Sequence, residues 1–289
     1  MSAQILSGKV FATKFKEEAK QEAEKIYQTY GVKPGLAVII VGENSASQVY
    51  VRNKHRTCEE LGIYSEVIAM PEDTSKEALI AKIQELNHDA KIHGILVQLP
   101  LPKAIATHEA DILNAIDPIK DVDGFHPVNV GKLMTNQEDG MIPCTPYGCL
   151  KMLEAAHINM DGANAVIVGR SNIVGKPMAQ LLLSKHATVT ICHSHTKDLA
   201  QVCKNADILV AAVGRPHFIT ADMIKPGATV IDVGINRIAP KKLVGDVDFD
   251  NAVNVAGAIT PVPGGVGLLT IAMLMQNTVK AAKLQLSRK

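Results

Sequence analysis

The sequence predicts an α/β fold with two domains, each built around a parallel sheet. Short apolar runs bounded by turn residues alternate with amphipathic segments, which is the pattern of strands joined by crossover helices. A polar stretch interrupts the alternation near the middle, and 289 residues are enough for two domains. Aromatic residues make up 3% and Trp is absent, so Val, Ile, Leu, Ala and Met must fill the core, which suits sheets buried on both faces.

The first half predicts three strands and three helices in alternation. Asn44 or Ser45 is expected to cap the second helix, and Gly62 to end it. The helices are predicted at residues 9–30, 45–60 and 75–87, and the strands at residues 36–41, 65–70 and 94–98.

A polar stretch with Gly and Pro at residues 117–146 separates the halves, and its segment 120–127 is expected to join the two domains. A helix at 146–156 should bridge them, and a last helix at 269–284 should fold back onto the first domain. The domain limits are therefore predicted at 1–142, completed by 269–289, and at 143–268. The second half predicts strands at 163–168, 188–192, 208–213 and 229–233, with helices at 176–184 and 199–205.

Charge and hydropathy exclude several classes of function. The formal net charge of +1 argues against a nucleic-acid surface, which would need a basic excess. No apolar stretch is long enough to span a bilayer, and residues 1–10 lack the apolar run of a signal peptide. We therefore expect a cytoplasmic protein.

The cysteine pattern predicts reduced thiols and no metal site. The count is odd, and neither a CxxC pair nor a cluster with metal-ligand spacing is present. The five are Cys58, Cys144, Cys149, Cys192 and Cys203.

A glycine-containing loop at residues 168–177 lies where a dinucleotide-binding loop should lie, after a buried strand and before a helix. Its glycines would let backbone amides approach a pyrophosphate at the helix N-terminus. The match to GxGxxG is imperfect, because five residues separate Gly169 from Gly175 and the middle Gly is missing. The loop alone leaves open a glycine-rich turn that binds no nucleotide.

The next strand end indicates which cofactor the loop would bind. Residues 192–196 carry no carboxylate for the ribose hydroxyls of NAD. Arg170, Ser171, Ser194 and His195 are instead suited to a 2′-phosphate, which favours NADP over NAD. His193 and His195 could alternatively be a metal pair or simple surface histidines.

Further candidates lie at strand ends and on one helix face. Tyr50 and Lys54 are four residues apart and share a face, although such a pair is usually solvated. Gln98 ends a strand, Asp121 and Asp123 lie in a loop, and residues 260–267 form a stiff loop poor in side chains. Gly214 and Gly234 follow further strands, where they indicate either a ligand crevice or tight turns.

Together, and in this order, six motifs resemble the bifunctional methylenetetrahydrofolate dehydrogenase/methenyltetrahydrofolate cyclohydrolase family over nearly the whole chain. They are YVRNK (50–54), VQLPLP (97–102), KDVDGFHP (120–127), PCTPYG (143–148), VGRS with IVGKP (168–171 and 173–177) and PVPGGVG (261–267). The resemblance implies an N-terminal α/β folate domain, a C-terminal Rossmann-like NADP domain, an interdomain cleft and a homodimer.

The resemblance also implies the roles of individual residues. Lys54 would be the catalytic lysine, supported by Gln98, with Tyr50 stacking on the folate and Asp121 gripping the pterin edge. These four form the implied catalytic set. Further folate contacts are implied at Pro100, Pro263, Gly264 and Gly265. NADP contacts are implied at Gly169, Arg170, Ser171, Gly175, His193, Ser194, Gly214, Gly234 and Ile235.

The implied reaction has two steps. Hydride leaves the methylene bridge of 5,10-methylenetetrahydrofolate for NADP, which mainly requires orientation. Water then attacks the 5,10-methenyl product to give 10-formyltetrahydrofolate, a one-carbon donor in purine biosynthesis. The second step needs proton transfer, which a lysine can provide when burial or charge lowers its pKa. Because the four residues of the catalytic set are all present, we expect both activities.

Two departures from the family pattern concern the cofactor. Many members read GVGPMT where this chain has Gly267-Leu268-Leu269-Thr270, and many carry Arg or Lys in place of His195. Both changes bear on NADP affinity. Two other functions stay open at this point: an NAD(P)-dependent dehydrogenase for another substrate, and a folate- or nucleotide-binding protein without catalysis.

Overall fold

The chain folds as two α/β units, which confirms the predicted fold class. The computed structural model describes residues 2–240 and 242–287. The three-stranded unit comprises Lys14–Ile142 and the residues from Leu274 onward. The six-stranded unit comprises the residues up to Thr13 and Pro143–Met273. The boundary between Thr13 and Lys14 and the boundary between Met273 and Leu274 each fall inside a long helix.

The elements up to residue 142 follow the predicted alternation and add three that were not predicted, β1, α4 and α5. In chain order they are β1 (Gln4–Ile5), α1 (Gly8–Tyr30), β2 (Gly35–Val41), α2 (Ser45–Glu60), β3 (Tyr64–Met70), α3 (Lys76–His88), β4 (Gly94–Val97), α4 (Glu109–Leu113) and α5 (Pro127–Met134).

The elements from residue 143 also match the prediction, with short additions. In chain order they are α6 (Cys144–Ala155), β5 (Asn164–Val168), α7 (Gly175–Leu183), β6 (Thr188–Cys192), α8 (Leu199–Lys204), β7 (Ile208–Ala211), β8 (Thr229–Asp232), β9 (Asn236–Ala239), β10 (Lys242–Val244), α9 (Phe249–Ala252), β11 (Ala258–Ile259) and α10 (Gly267–Leu286).

The sheet of the three-stranded unit is parallel, in the order β3-β2-β4. The central strand β2 is apolar and buried along its whole length, as a strand covered on both faces must be. Asn44 caps α2 as predicted, since its side chain accepts a hydrogen bond from the Ser47 N–H. Because β2 and β4 are parallel, their carboxyl ends point in the same direction.

The sheet of the six-stranded unit has the order β1-β11-β8-β7-β5-β6, and its pairings are all parallel. Chain order reverses at β5, which has β6 on one side and β7 on the other. Such a switch point creates a crevice at the carboxyl ends of the strands, where dinucleotides bind in Rossmann folds. The edge strand β1 and its neighbour β11 have two residues each, too few for a sequence pattern.

The segment 120–127 does not link the two units, so that prediction was wrong. Asp121 bridges to Ile95 of β4, and Lys120, Asp121 and Val122 are all buried. Val122 packs so closely that a Cβ on Gly94 would lie 2.5 Å from its side chain. Lys120 and Asp121 are satisfied there by hydrogen bonds with backbone groups and Asn129, and the unit continues to Ile142.

Candidate active site and nucleotide-binding edge

Lys54 and Gln98 meet at the carboxyl end of β4. Lys54 lies on α2, is 9% exposed and donates a hydrogen bond of 3.0 Å from Nζ to Gln98 Oε1. Gln98 is itself held at both ends, because its N–H donates to the Ile39 carbonyl and its Nε2 to the Leu99 carbonyl, at 2.8 and 2.6 Å. The amide oxygen is therefore fixed towards the lysine.

Tyr50 lies one turn before Lys54 on α2, and its side chain is 48% exposed. A ring in that position has a face available for stacking on a flat ligand. Pro100 is also exposed and follows a cis Leu99–Pro100 bond directly beyond Gln98. Along the chain, Tyr50 therefore lies close to Lys54, and Pro100 lies close to Gln98.

Asp121 is a buried carboxylate beside β4. Its Oδ2 accepts hydrogen bonds of 2.8 Å from the His126 N–H and from Asn129 Nδ2. Asn129 is oriented in turn, since it donates to the Pro118 carbonyl and accepts from the Met141 N–H. Burial raises the pKa of Asp121, and the hydrogen bonds oppose that rise. Further N–H donors from a ligand would favour the charged form.

Lys120 has a structural role in this loop and not a chemical one. Its Nζ donates to the carbonyls of Leu86 and Asp89 at 2.9 and 2.8 Å, which satisfies the C-terminal end of α3. From α10, Asn277 Nδ2 donates to the Val122 carbonyl at 2.8 Å. The backbone on both sides of Asp121 is therefore tied to helices of the same unit.

Four loops of the six-stranded unit lie along one sheet edge. Register pairs Val168 at the end of β5 with Cys192 of β6 and with Ala211 of β7, and Ala211 with Asp232 of β8. The residues that follow these positions therefore emerge side by side. This edge gathers the predicted cofactor residues of the loops beginning at Gly169, His193, Ala212 and Val233.

The loop between β5 and α7 is shaped by its two glycines. Gly169 has φ +133°, and a Cβ there would overlap the Ala212 carbonyl oxygen. A Cβ on Gly175 would overlap the Gly169 carbonyl oxygen. Ser171 Oγ accepts from the N–H groups of Val174 and Gly175 at 3.2 and 3.3 Å, at the first turn of α7. Its hydroxyl proton and the exposed Arg170 side chain point to an anion-binding turn at a helix N-terminus.

The turn after β6 presents Ser194 and His195 to solvent. The His193 N–H donates to Thr196 Oγ1 at 2.8 Å, and the His195 N–H donates to His193 Nδ1 at 3.2 Å. The rings of His193 and His195 meet edge to face with centroids 5.9 Å apart. His193 therefore shapes the turn, whereas Ser194 and His195 are available to a ligand.

The loops after β7 and β8 are held from behind by a residue that the sequence did not single out. Asp246 Oδ2 accepts from the Gly214 N–H at 2.9 Å, so this amide faces inward and not towards a ligand. Gly234 is buried, while Ile235 is 49% exposed. No motif or spacing marks Asp246, because its contacts with the loop after β7 lie 31 to 33 residues away in sequence.

The late loop leaves the same edge after β11. Pro263 and Gly264 are exposed, Gly265 is buried, and the Gly264 carbonyl accepts from the Gly8 N–H of α1 at 2.8 Å. These three predicted folate residues lie in the six-stranded unit, whereas Tyr50, Lys54, Gln98, Pro100 and Asp121 lie in the three-stranded unit.

The departure at Leu268 and Leu269 falls on the first turn of α10. Leu269 is fully buried, and a Cβ on Gly148 would lie 2.7 Å from its Cβ. Thr145 and Thr270 hydroxyls lie 3.0 Å apart in the same contact. The PCTPYG motif therefore serves the packing of α6 against the start of α10.

Metal and thiolate chemistry find no support in the part of the chain that the structure describes. No group of three or more His, Cys, Asp or Glu is placed to hold a metal ion. The cysteines are buried and unbridged, and burial raises the pKa of Cys58, Cys149 and Cys203 to about 12. Within residues 2–240 and 242–287, no helix is long and apolar enough to cross a membrane.

The fold and these sites define a class of protein: two α/β units, one of them a Rossmann-like domain whose strand-end loops suit a nicotinamide dinucleotide. Family comparison makes the assignment specific. The tetrahydrofolate dehydrogenase/cyclohydrolase catalytic-domain model matches residues 6–123, and the NAD(P)-binding-domain model of the same family matches residues 143–286. The chain belongs to the tetrahydrofolate dehydrogenase/cyclohydrolase family.

Individual relatives agree over their full lengths. Bifunctional protein FolD of Moorella thermoacetica is 60% identical over 283 residues, covering 98% of this chain and 100% of the relative. The structure of the bifunctional FolD methylenetetrahydrofolate dehydrogenase/cyclohydrolase of Campylobacter jejuni is 49% identical, with TM-score 0.94 and coverage of 98% and 100%. The Trypanosoma brucei FolD structure, complexed with NADP and an inhibitor, is 38% identical, with TM-score 0.93 and 99% coverage of both chains.

Proposed function

We propose that the protein oxidises 5,10-methylenetetrahydrofolate to 5,10-methenyltetrahydrofolate with NADP and then hydrolyses the product to 10-formyltetrahydrofolate. The observation that carries this proposal is the buried Lys54 amine held 3.0 Å from Gln98 Oε1. The two activities are those of the FolD relatives, which this chain matches over its whole length.

Lys54 is the residue that moves a proton in the hydrolytic step. Burial on α2 keeps the amine out of bulk water, and Gln98 fixes its direction. Because an amide stays neutral, Gln98 orients the amine without adding the charge that a carboxylate would bring. A positioned general acid or base of this kind accelerates proton transfer by about 10²- to 10⁴-fold.

Further residues of the three-stranded unit, and one loop of the six-stranded unit, bind the folate. Asp121 offers a buried carboxylate to the N–H groups of the aminopyrimidinone. Tyr50 supplies an exposed ring for stacking, and Pro100 borders it with a rigid apolar surface. Pro263, Gly264 and Gly265 add a loop poor in side chains.

The sheet edge of the six-stranded unit fits NADP. Gly169 and Gly175 leave room that a Cβ would fill, and α7 directs its N-terminus at that place, which suits a pyrophosphate. Arg170, Ser171, Ser194 and His195 surround a position for the 2′-phosphate, with His193 shaping their turn. Gly214, Gly234 and Ile235 border the rest. Bound NADP supplies the hydride acceptor.

The wider assignments follow from this function. The folate and catalytic domain is proposed at residues 1–142, completed by 269–289, and the NADP domain at residues 143–268. Of these, residues 2–13 and 269–273 pack in the six-stranded unit, and Met1, Lys241, Arg288 and Lys289 lie outside the described residues. The protein acts in the cytoplasm as a homodimer, and its 10-formyl product supports purine biosynthesis. Support for a cytoplasmic location comes from the reduced cysteines, since buried free thiols persist in a reducing compartment.

The proposal is tested by a spectrophotometric assay of the purified protein with 5,10-methylenetetrahydrofolate and either NADP or NAD. We expect faster reduction of NADP, and loss of the methenyl absorbance faster than its spontaneous hydrolysis. Turnover with a different substrate only would indicate another dehydrogenase. Folate binding without turnover would indicate a binding protein, and either result contradicts the proposal.

A further inference from the structure

Two buried carboxylates lie behind the loops that follow β7 and β8. Asp246 is fully buried and Asp232 is 3% exposed, so both are shielded from solvent. A carboxylate is costly to bury unless hydrogen-bond donors compensate its charge. Hydrogen-bond donors around Asp232 and Asp246 must therefore compensate both charges.

Asp246 binds the two loops together through four donors. Its Oδ2 accepts from the N–H groups of Val213 and Gly214 at 2.6 and 2.9 Å. Its Oδ1 accepts from the Arg215 N–H at 2.9 Å and from Asn236 Nδ2 at 2.8 Å. The N–H groups of three successive residues after β7 thus form a nest around the Asp246 carboxylate. The same carboxylate also accepts a hydrogen bond from Asn236, the residue after Ile235.

Asp232 holds Asp246 in place. Its Oδ1 accepts from the N–H groups of Gly234 and Asp246, and its Oδ2 from the Val247 N–H, each at 2.9 Å. Glycine is required twice by this arrangement. A Cβ on Gly234 would overlap the Asp246 carboxylate, and a Cβ on Gly245 would overlap that of Asp232.

The topology indicates which part of a dinucleotide these loops serve. In a Rossmann fold the two nucleotide halves bind on opposite sides of the switch point. Here the glycine loop and the turn after β6 lie on the β5–β6 side, where the adenosine half belongs. The loops after β7 and β8 lie on the other side, which leaves them the nicotinamide half.

We propose that Asp246 is a positioning residue for the nicotinamide half of NADP. Its carboxylate keeps the amides of residues 213–215 turned inward and fixes the position from which Ile235 projects, 49% exposed, towards the cofactor. The inference rests on the proposed function, since it takes NADP as the ligand of this edge.

The test compares Asp246→Asn with wild type in two measurements. An amide has one oxygen, so two of the four donors would face an N–H₂ group and the loops would lose their arrangement. We expect the KM for NADP to rise roughly tenfold or more, since hydrogen bonds to a charged group are lost. The affinity for 2′,5′-ADP, a probe of the adenosine half, should stay at the wild-type value. Asp250→Asn removes an exposed carboxylate of the same unit and should change neither quantity.

A milder variant covers the case in which Asp246→Asn does not fold. Asn236→Ala removes a single donor and should raise the KM for NADP by roughly threefold to tenfold, again without weakening 2′,5′-ADP binding. An unchanged KM in an active enzyme, or an equal loss of affinity for both ligands, would overturn the inference. Failure of the wild-type protein to reduce NADP would instead contradict the proposed function, and the inference with it.

Discussion

At the residue scale, the proposed chemistry depends on how one amine is held. Lys54 alone on a helix face would sample many rotamers, and lysine loses much of this freedom on burial. Gln98 directs it from the end of β4, and the carbonyls of neighbouring residues keep Gln98 from turning away. The pair joins residues 44 positions apart in sequence.

Replacing Gln98 with Leu tests this arrangement. The variant keeps most of the side-chain volume but removes the acceptor that directs Lys54 Nζ. We expect the kcat for hydrolysis of 5,10-methenyltetrahydrofolate to fall about tenfold, the equivalent of one misplaced hydrogen bond. The KM for the folate should change little, because Gln98 acts through the lysine.

Gln21→Leu is the matched control, since Gln21 is exposed on α1 and bonds only to the Glu17 side chain among the described contacts. It should behave as wild type. A Gln98→Leu enzyme with undiminished kcat would show that Lys54 needs no such support.

Asp232 gives the protein a defined pH dependence. Burial raises its pKa from an ordinary value of 3.8 to about 6, against the effect of three backbone N–H donors. Because the folded-state pKa is the higher one, folding favours the protonated form. The resulting stabilisation is fully present below pH 3.8 and is lost as pH rises through 6.

This dependence is measured by urea unfolding of wild type and Asp232→Asn between pH 4.5 and 7.5. The free energy of unfolding of wild type, relative to the variant, should fall across this range by on the order of 2 kcal/mol. Asp250→Asn should instead run parallel to wild type. A constant difference between wild type and Asp232→Asn would mean that Asp232 does not titrate there.

The sequence allowed some site residues to be predicted and hid others. Tyr50 and Lys54 could be predicted from their helix spacing, and Gln98 from its position at a strand end. Asp232 and Asp246 were not, because a carboxylate that serves as an inward anchor has the same sequence appearance as a surface loop residue. Their role depends on which distant amides the fold brings to them.

At the scale of elements, the β5–α7 connection shows how an imperfect glycine motif can build the proposed nucleotide loop. The middle glycine of the usual pattern is absent, yet Gly169 and Gly175 lie where backbone meets backbone. The first allows contact with the end of β7, and the second lets α7 start against the loop itself. The spacing of five residues between them is therefore compatible with close helix–strand packing.

Gly175→Ala tests this interpretation. The new Cβ would overlap the Gly169 carbonyl oxygen and approach Arg170 Cα to 2.9 Å, so the backbone must shift. We expect a loss of about 1–3 kcal/mol of stability and weaker binding of 2′,5′-ADP, measured by unfolding and by titration.

Gly131→Ala is its control, because Gly131 lies within α5 with open space around the added Cβ. That variant should gain about 0.5–1 kcal/mol from helix propensity. Wild-type stability and ligand affinity in Gly175→Ala would contradict the proposed close approach.

The longer elements were predictable because their hydrophobic periodicity extends over many residues. The strands β1, β9, β10 and β11, with two to four residues each, and the short helices α4, α5 and α9 were not. They exist only because neighbouring segments supply their partners, as when the Leu6 N–H reaches the Ile259 carbonyl. Local sequence contains no record of such pairing.

At the scale of the whole molecule, the proposed NADP residues fall on one unit, whereas the proposed folate residues fall on both. Tyr50, Lys54, Gln98 and Asp121 belong to the three-stranded unit, and Pro263, Gly264 and Gly265 belong to the six-stranded unit together with the NADP residues. The alternation of strands and helices predicted two α/β units, and the family resemblance implied which of them binds NADP. The segment 120–127 misled the prediction because Lys120 and Asp121 are buried, and only the fold shows that Asn129 and backbone groups satisfy them.

Hydrolysis of supplied 5,10-methenyltetrahydrofolate by Lys54→Met, with wild type and Lys91→Met alongside, tests whether Lys54 moves the proton in the hydrolytic step. Met keeps the apolar stem and removes the amine, while Lys91 is an exposed lysine of the same unit. We expect the hydrolysis rate of Lys54→Met to fall roughly 10²- to 10⁴-fold, whereas Lys91→Met should hydrolyse at the wild-type rate. Binding of 2′,5′-ADP should remain at the wild-type value, because its residues lie in the other unit. Hydrolysis at the wild-type rate would remove Lys54 from the mechanism and contradict the account.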